Sequence, residues 1–252
     1  MNIASYGGGT NSTAMLIECV NRGIAVDLIL FADTGGEKPH TYQYVKTFSR
    51  WLVENKYPAI TIVQTQDKHG TYMTLEQKCL TSHSLPSVAY GMKSCSDKHK
   101  IRPVDKYLNN HLPAVNEWGA GRIITKLIGF DADEPQRAIP RKNEKYENWY
   151  PLIEWWMGRD ECIETIENEG LCLPGKSACF FCPSSRPSEI RQLKQVYPEL
   201  AERALRMEAD ADLREIKGLG RNYAWRDVLA IDEMFDEWET PEFICDCWDG
   251  NR

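Results

Sequence analysis

The chain has 252 residues, and 30 Lys and Arg against 37 Asp and Glu give a formal net charge of −7. Hydrophobic residues make up 42% and charged residues 27%, a globular composition that excludes a disordered chain and argues against a general polyanion binder. The chain contains no run of about 20 apolar residues, so no membrane-spanning helix is predicted. Residues 1–12 lack the features of a secretion signal, so we expect a cytoplasmic protein without membrane contact.

The first part of the chain predicts alternating strands and helices. Residues 25–32 form an apolar run broken only by Asp27, which is typical of a buried parallel strand. Alternation of this kind predicts an α/β fold, with a parallel five-stranded sheet flanked by helices. We expect strands at 2–5, 25–32, 60–64 and 122–130, and helices at 12–22 and 39–54.

The second half of the chain predicts mainly helices separated by cysteine-containing loops. Residues 66–93 show no clear period and suggest a long loop or lid. A soft boundary near residue 135 would separate a nucleotide-binding α/β domain (1–135) from a helical, cysteine-rich region (136–252). We expect helices at 97–110, with a kink at Pro103, and at 160–170, 187–196 and 198–216.

A glycine-rich loop, Gly7-Gly-Gly-Thr-Asn-Ser-Thr13, lies between the first strand and the first helix. Glycines let backbone N–H groups approach an anion, and a helix N-terminus adds positive potential. The loop lacks the Gly-Lys-Ser/Thr ending of a Walker A motif and the third glycine of the dinucleotide motif. A tight turn with a Ser cap is the alternative, but three consecutive glycines favour a phosphate site.

Ordered segments between residues 5 and 183 resemble the PAPS (phosphoadenosine phosphosulfate) reductase-like family of the PP-loop adenine-nucleotide α-hydrolase superfamily. Gly8, Gly9 and Ser12 match the PP-loop, whereas Gly7 replaces its Ser and Asn11 replaces its Asp. The remaining resemblance is carried by Asp33-Thr-Gly-Gly-Glu, Ser94-Cys-Ser-Asp-Lys-His-Lys-Ile-Arg-Pro, Gly129-Phe-Asp-Ala-Asp-Glu-Pro-Gln-Arg, Tyr150-Pro-Leu-Ile-Glu and Lys176-Ser-Ala-Cys-Phe-Phe-Cys-Pro.

The resemblance implies an adenine-nucleotide α-hydrolase-like fold that binds ATP, or PAPS, with Mg²⁺. It assigns catalytic roles to Asn11, Ser12 and Arg137. The cofactor-binding residues that it implies are Gly7, Gly8, Gly9, Thr10, Ser12, Thr13, Asp33, Glu37, Lys100 and Gly129.

The resemblance implies two chemistries. In the first, ATP adenylates an acceptor, pyrophosphate leaves, and the activated acceptor receives sulfur, with a nucleic acid or a sulfur-donor protein as partner. In the second, a C-terminal thiol reduces PAPS or adenylyl sulfate, but the chain lacks the Glu-Cys-Gly-x-His tail of true reductases. A third interpretation is a non-catalytic nucleotide-binding module with structural zinc. The first chemistry accounts best for the motifs.

Nine cysteines, an odd number in a chain expected to be cytoplasmic, favour metal binding over a disulfide framework. Cys179-x-x-Cys182 supplies two thiolates of the four that a tetrahedral site needs. Cys162 and Cys172 could complete the set by spacing alone, and buried structural cysteines are the alternative. The resemblance instead implies Cys95 as a ligand, so we favour a [4Fe-4S] cluster, with Zn²⁺ as the alternative, on Cys95, Cys162, Cys179 and Cys182.

Two further features near the C-terminus are each compatible with more than one interpretation. Cys245-Asp-Cys247 could act as a nucleophile, carry sulfur or be an incidental part of the tail. Tyr223 and Trp225 could contact a nucleic acid or nucleotide, or could serve in packing.

Overall fold

A computed structural model describes residues 1–67, 69–86, 88–89, 92–213, 216–220 and 222–232. The predicted Cys245–Cys247 pair lies outside the described residues. The alternation predicted for the first part of the chain is confirmed. Its strands are β1 (Asn2–Tyr6), β2 (Leu28–Asp33) and β3 (Ile60–Gln64), and its helices are α1 (Thr10–Asn21) and α2 (Pro39–Glu54).

The predicted five-stranded parallel sheet is confirmed, with the strand order β3-β2-β1-β6-β7. Strands β6 (Ile124–Ile128) and β7 (Tyr146–Trp149) lie on the opposite side of β1 from β2 and β3. The direction of strand addition therefore reverses between β1 and β6. In open parallel sheets, ligands bind outside the carboxyl ends of the strands at such a switch point.

Side chains of the sheet alternate between two apolar layers, as the period of a strand requires. Ala4 and Tyr6 of β1 lie in a first core formed with helices α1, α2 and α8 (Arg159–Asn168). Ile3 faces the other side, in a smaller core with Leu108 and Ala114. Burial on both faces explains why β2 is an almost continuous apolar run.

The prediction of a long loop over residues 66–93 was wrong at its centre. Helix α3 (Leu75–Thr81) begins there, because the Thr74 hydroxyl accepts from the Gln77 N–H while the Gln77 side chain accepts from the Thr74 N–H. A Thr-x-x-Gln signal of this kind is readable from sequence. Strands β4 (Val88–Ala89) and β5 (Met92–Lys93) pair antiparallel after it.

The helix expected over residues 97–110 is confirmed in outline but is built from two geometries. A π-helical turn (Asp97–Ile101) follows helix α4 (Ser94–Ser96) and leads into α5 (Arg102–Asn109). The change of geometry falls just before Pro103, whose ring and missing N–H are tolerated only in the first turn of a helix. Helix α6 (Leu112–Gly119) completes this layer.

Helices dominate beyond β6, as expected, and three of them form a second core with Phe180 and Phe181. The predicted helix 198–216 ends earlier, at Asp210. The helical segments are a 3₁₀ turn (Pro135–Arg137), α7 (Pro151–Glu154), α8 (Arg159–Asn168), α9 (Pro187–Val196), α10 (Pro198–Asp210) and α11 (Trp225–Asp232).

The domain boundary proposed at residue 135 stays a prediction. Strand β7 lies beyond it and pairs with β6, and α8 packs against α1 in the first core. In the part of the chain described, no helix combines the length and apolarity needed to cross a membrane.

Candidate functional site

The glycine loop, defined here as Gly7–Gly9, lies at the carboxyl end of β1, beside the switch point of the sheet. Gly8 has a φ of +73°, and a Cβ there would lie 3.0 Å from Thr41 Cγ2. A Cβ at Gly129, just after β6, would lie 2.9 Å from the Ser12 backbone nitrogen. These two positions require glycine because they bring β6 and α2 close to the first turn of α1.

Hydroxyl groups of α1 shape this loop. Ser12 Oγ accepts from the Gly7 N–H at 3.1 Å and donates to the Gly9 carbonyl at 3.1 Å. Thr13 Oγ1 donates to the same carbonyl at 3.0 Å and lies 3.2 Å from the Tyr6 hydroxyl. Helix α1 begins at Thr10, so the positive end of its dipole faces the loop. The result is a backbone cradle suited to an anion.

Glu37 contributes a buried carboxylate next to the glycine loop. Its Oε1 lies 3.5 Å from Lys100 Nζ, and its Oε2 lies 3.3 Å from Ser177 Oγ. Ser177 Oγ also donates to the Gly7 carbonyl at 2.5 Å. Ser177 was not predicted as a site residue, although the segment that contains it was recognised. A hydroxyl near the glycine loop therefore comes from a part of the chain 170 residues away.

Both carboxylate oxygens of Asp33 accept hydrogen bonds that stabilise the turn after β2. Its Oδ1 accepts from the Gly35 N–H and the Tyr42 hydroxyl, both at 2.7 Å. Its Oδ2 accepts from Gln64 Nε2 at 3.0 Å and the Tyr72 hydroxyl at 3.4 Å. Burial and the bond to this carboxylate raise the pKa of Tyr42. Asp33 therefore orients the turn that carries Glu37.

The cysteine loop, defined here as residues 176–182, packs against the same turn. The Phe180 N–H donates to the Gly36 carbonyl at 2.8 Å, and Glu37 and Cys179 form an isolated antiparallel bridge. Thr34 Oγ1 lies 3.0 Å from Cys179 Sγ. Burial and the Glu37 carboxylate raise the pKa of Cys179 to about 12, so its thiol is neutral near pH 7.

Lys100 places a cation beside Glu37 and the cysteine loop. Burial alone would lower its pKa, but the Glu37 carboxylate outweighs that effect, and the pKa of Lys100 is raised. The ammonium group is therefore held charged, and Glu37 and Ser177 link it to the glycine loop. A charged lysine at this place can neutralise a phosphate oxygen.

The four predicted metal ligands are not brought together. Cys95 and Cys179 pack against the second core, whereas Cys162 is fully buried in the first core. Burial and the nearby Asp131 carboxylate raise the pKa of Cys162 to about 12. Among the described residues, no group of three or more His, Cys, Asp or Glu side chains is placed to hold a metal ion. The arrangement described here therefore does not fit a four-thiolate site.

Cys79 was not among the predicted metal ligands, yet it lies near Cys95. The two thiols line one cavity together with His99. Burial and the proximity of Cys95 raise the pKa of Cys79 to about 11. Cys172, the reserve ligand, packs against the first core.

Both polar atoms of the Asn11 side chain form hydrogen bonds. Its Nδ2 donates to Asp131 Oδ2 at 2.7 Å, and its Oδ1 accepts from Arg159 Nη1 at 2.9 Å. Asp131 is buried, and Arg159 is the first residue of α8. We call these three side chains the Asn11 network. Its hydrogen bonds connect the first turn of α1 with the loop after β6 and with the start of α8.

Arg137 is half-exposed and forms an ion pair with Glu134. Its guanidinium group lies 4.3 Å from the centroid of the Phe130 ring, which stacks on Tyr150. The catalytic roles of Asn11, Ser12 and Arg137 stay predictions.

Comparison with known proteins gives distant relatives. No protein-family model matches the chain. It is 25% identical over 196 residues to the uncharacterized nin region protein ORF290 of Escherichia phage lambda, covering 69% of this chain and 64% of that protein. It is 22% identical over 214 residues to the uncharacterized protein MJ0973 of Methanocaldococcus jannaschii, covering 78% and 44%. The match thus spans less than two thirds of either relative.

A solved structure with a similar course of the chain is the U34-tRNA thiolase NcsA from Methanococcus maripaludis with its [4Fe-4S] cluster. The TM-score is 0.42 at 16% identity, over 96% of this chain and 84% of that one.

Proposed function

We propose that the chain is a PP-loop enzyme that binds ATP at the glycine loop and adenylates an acceptor with release of pyrophosphate. The carrying observation is the cradle itself, in which Gly8 and Gly129 let α2 and β6 approach the first turn of α1 at the switch point of the sheet. PAPS is the alternative ligand, because its phosphate groups suit the same cradle.

In this proposal, backbone N–H groups at the start of α1 hold phosphate oxygens, and Lys100 offsets their charge. Glu37 and Ser177 keep Lys100 and the loop in place. Mg²⁺ would arrive with the triphosphate, since it keeps phosphate and water ligands and needs few protein groups. An acceptor oxygen attacks the α-phosphorus, the bond to the bridging oxygen breaks, and pyrophosphate leaves with that electron pair.

The experiment measures ATP binding and pyrophosphate release for the wild type and two glycine variants. Gly8→Ala and Gly23→Ala both place a side chain at a positive φ, +73° and +65°. Only Gly8 belongs to the loop, and a Cβ at Gly23 meets nothing within 4 Å. We expect Gly8→Ala to weaken ATP binding by at least about 20-fold, beyond the modest strain of about 1–2 kcal/mol that both variants share. Equal behaviour of the two variants would contradict the proposal.

Sulfur incorporation stays part of the proposal without a derived step, because the described thiols do not form a cluster site. Anaerobic purification followed by iron, sulfide and zinc analysis tests it. Iron and sulfide in cluster stoichiometry would support a [4Fe-4S] group, whereas stoichiometric zinc without iron would remove it. ATP binding with no pyrophosphate release for any acceptor tested would favour the non-catalytic module.

A further inference from the structure

A small cavity lies between α3, the residues that follow it and the π-helical turn. It encloses about 90 Å³. Since one water needs about 10–15 Å³, the cavity has room for several waters or one compact ion. It is too small for a nucleotide, because sites for such ligands begin at about 300 Å³. We call it the Lys78 cavity, and the polar residues that define it are Lys78, Cys79, Ser82, Ser84, Cys95 and Lys98.

The charged side chains that line this cavity are two lysines. Lys78 lies on α3 and Lys98 on the π-helical turn. No Asp or Glu is found among the described residues of the lining. Burial lowers the pKa of His99, which also lines the cavity, and the charges of both lysines lower it further, to about 4. His99 is therefore neutral near pH 7, and the cavity is a positive site in a chain whose net charge is −7.

Neighbouring carboxylates are paired with other residues. Glu76 lies on the same helix as the first lysine, but it accepts two hydrogen bonds from Arg203. Asp97 precedes the second lysine directly, but it forms an ion pair with Arg102 at 2.7 Å. In the part of the chain that the structure describes, neither lysine of the cavity has a carboxylate within ion-pair distance. Their charges are thus available to an anion in the cavity.

Uncharged donors complete the lining. Ser82 Oγ donates to the Lys78 carbonyl at 2.8 Å and lies 2.7 Å from Ser84 Oγ. Ser84 is then the donor of the hydroxyl pair, and it can turn its hydrogen to an anion for the loss of one neutral hydrogen bond. Burial and the proximity of Cys95 raise the pKa of Cys79 to about 11, so this thiol carries no charge that would repel an anion near pH 7.

We propose that the Lys78 cavity binds a small, doubly charged tetrahedral oxyanion of the sulfate or phosphate class. Lys78 and Lys98 supply charge-assisted hydrogen bonds, and Ser84 supplies a neutral one. The volume excludes a nucleotide, and two lysines in one cavity favour a dianion over a monoanion. The site is separate from the glycine loop, because Lys98 lines the cavity whereas Lys100, two residues later, bonds to Glu37. The assignment therefore does not depend on the proposed function.

The test is calorimetric titration of the full chain with sulfate and, separately, with inorganic phosphate, at an ionic strength held constant with sodium chloride. Lys78→Met and Lys98→Met each remove one ammonium group, and we expect each to weaken binding by about 10-fold or more. Lys106→Met makes the same change at an exposed lysine of α5 that does not line the cavity. We expect binding by this control to stay within about twofold of the wild type, because solvent and salt screen a distant charge.

Shape and charge are tested by a second ligand and a second kind of variant. Perchlorate is tetrahedral but carries a single charge, and we expect it to bind at least about 10-fold more weakly than sulfate. Ser84→Phe fills the cavity from an exposed position and keeps both lysines, so we expect folding to persist and sulfate binding to fall by about 10-fold or more. Gly8→Ala alters the glycine loop alone, and sulfate binding should stay within about twofold.

Four results would overturn the assignment. Equal losses in Lys98→Met and Lys106→Met would indicate general attraction to the surface, and perchlorate binding as tight as that of sulfate would remove the preference for a dianion. Unchanged binding by Ser84→Phe would place the anion outside the cavity, and loss of binding in Gly8→Ala would place it in the glycine loop. The anion that binds more tightly, sulfate or phosphate, identifies the ligand. Absence of ATP binding with sulfate binding intact would refute the proposed function but leave this site standing.

Discussion

Asn11→Asp introduces the residue that the PP-loop resemblance would predict at this position, and we expect it to destabilise this protein. Asn11 Nδ2 donates to the buried Asp131 Oδ2 over 2.7 Å. A carboxylate at position 11 cannot donate, and it would bring two negative charges to the same distance. Arg159, which bonds the Asn11 carbonyl oxygen at 2.9 Å, would offset only part of this repulsion.

The magnitude follows from two costs. The hydrogen bond to a charged acceptor contributes about 1.5–3 kcal/mol, which is lost. The repulsion cannot cost more than protonating the new carboxyl group, which would remove its charge. Protonation at pH 7 costs about 4 kcal/mol, because the ordinary pKa of an aspartic acid, about 3.9, lies about three units below pH 7. Because Arg159 offsets part of this destabilisation, we expect Asn11→Asp to lower the free energy of unfolding by about 2–4 kcal/mol at pH 7. Repulsion raises the folded-state pKa of the new group, so the penalty shrinks as the pH falls towards 5.

Urea denaturation at pH 7 and pH 5 measures the difference from the wild type. The double variant Asn11→Asp/Asp131→Asn exchanges donor and acceptor, and we expect it to recover at least half of the loss. The single variant Asp131→Asn leaves two amides that can still bond, so its cost should stay below about 1.5 kcal/mol. An Asn11→Asp variant within about 0.5 kcal/mol of the wild type at pH 7, or no recovery in the double variant, would refute this role of the Asn11–Asp131 hydrogen bond.

Three further changes have expected outcomes. Gly129→Ala places a Cβ 2.9 Å from the Ser12 backbone, so we expect loss of ATP binding and about 1–3 kcal/mol of stability, measured by titration and urea denaturation. Glu208→Gln should lower the free energy of unfolding by about 2 kcal/mol. The buried Glu208 carboxylate accepts from the backbone N–H groups of Leu219, Trp225 and Arg226. An unchanged urea midpoint would contradict this role. His99 is buried, and burial together with two nearby lysines lowers its pKa to about 4. The unfolded chain therefore binds the proton more readily, so the stability contributed by His99 is lost as the pH falls below about 6.5, by about 2 kcal/mol between pH 7 and pH 5, and His99→Gln should flatten that dependence in urea titrations.

The parallel core of the fold could be predicted because its signals are local. Helix α2 begins and ends where Pro39 and the apolar period placed it, and β3 matches its apolar run. Strand β7 was missed because Tyr146–Trp149 is a short edge strand that is only partly buried, so its pattern is weak.

The site was only partly predictable, because its completion depends on tertiary contacts. The spacing of Cys162 to Cys179 and Cys182 is compatible with a metal site, but spacing does not tell which face of α8 carries the thiol. That face packs against α1, and Cys162 is buried in the core. The contact of Ser177 with Gly7 likewise has no local signal.

That contact also has a consequence for the order in which the glycine loop takes up its final shape during synthesis. The ribosome releases the glycine loop first, and the Ser177 hydroxyl that donates to the Gly7 carbonyl follows 170 residues later. Contacts so far apart in sequence form late, after the chain between them has been ordered. Nascent chains that lack Ser177 should therefore carry a glycine loop without the contact to its Gly7 carbonyl, and the loop gains this contact only after the cysteine loop has been synthesised.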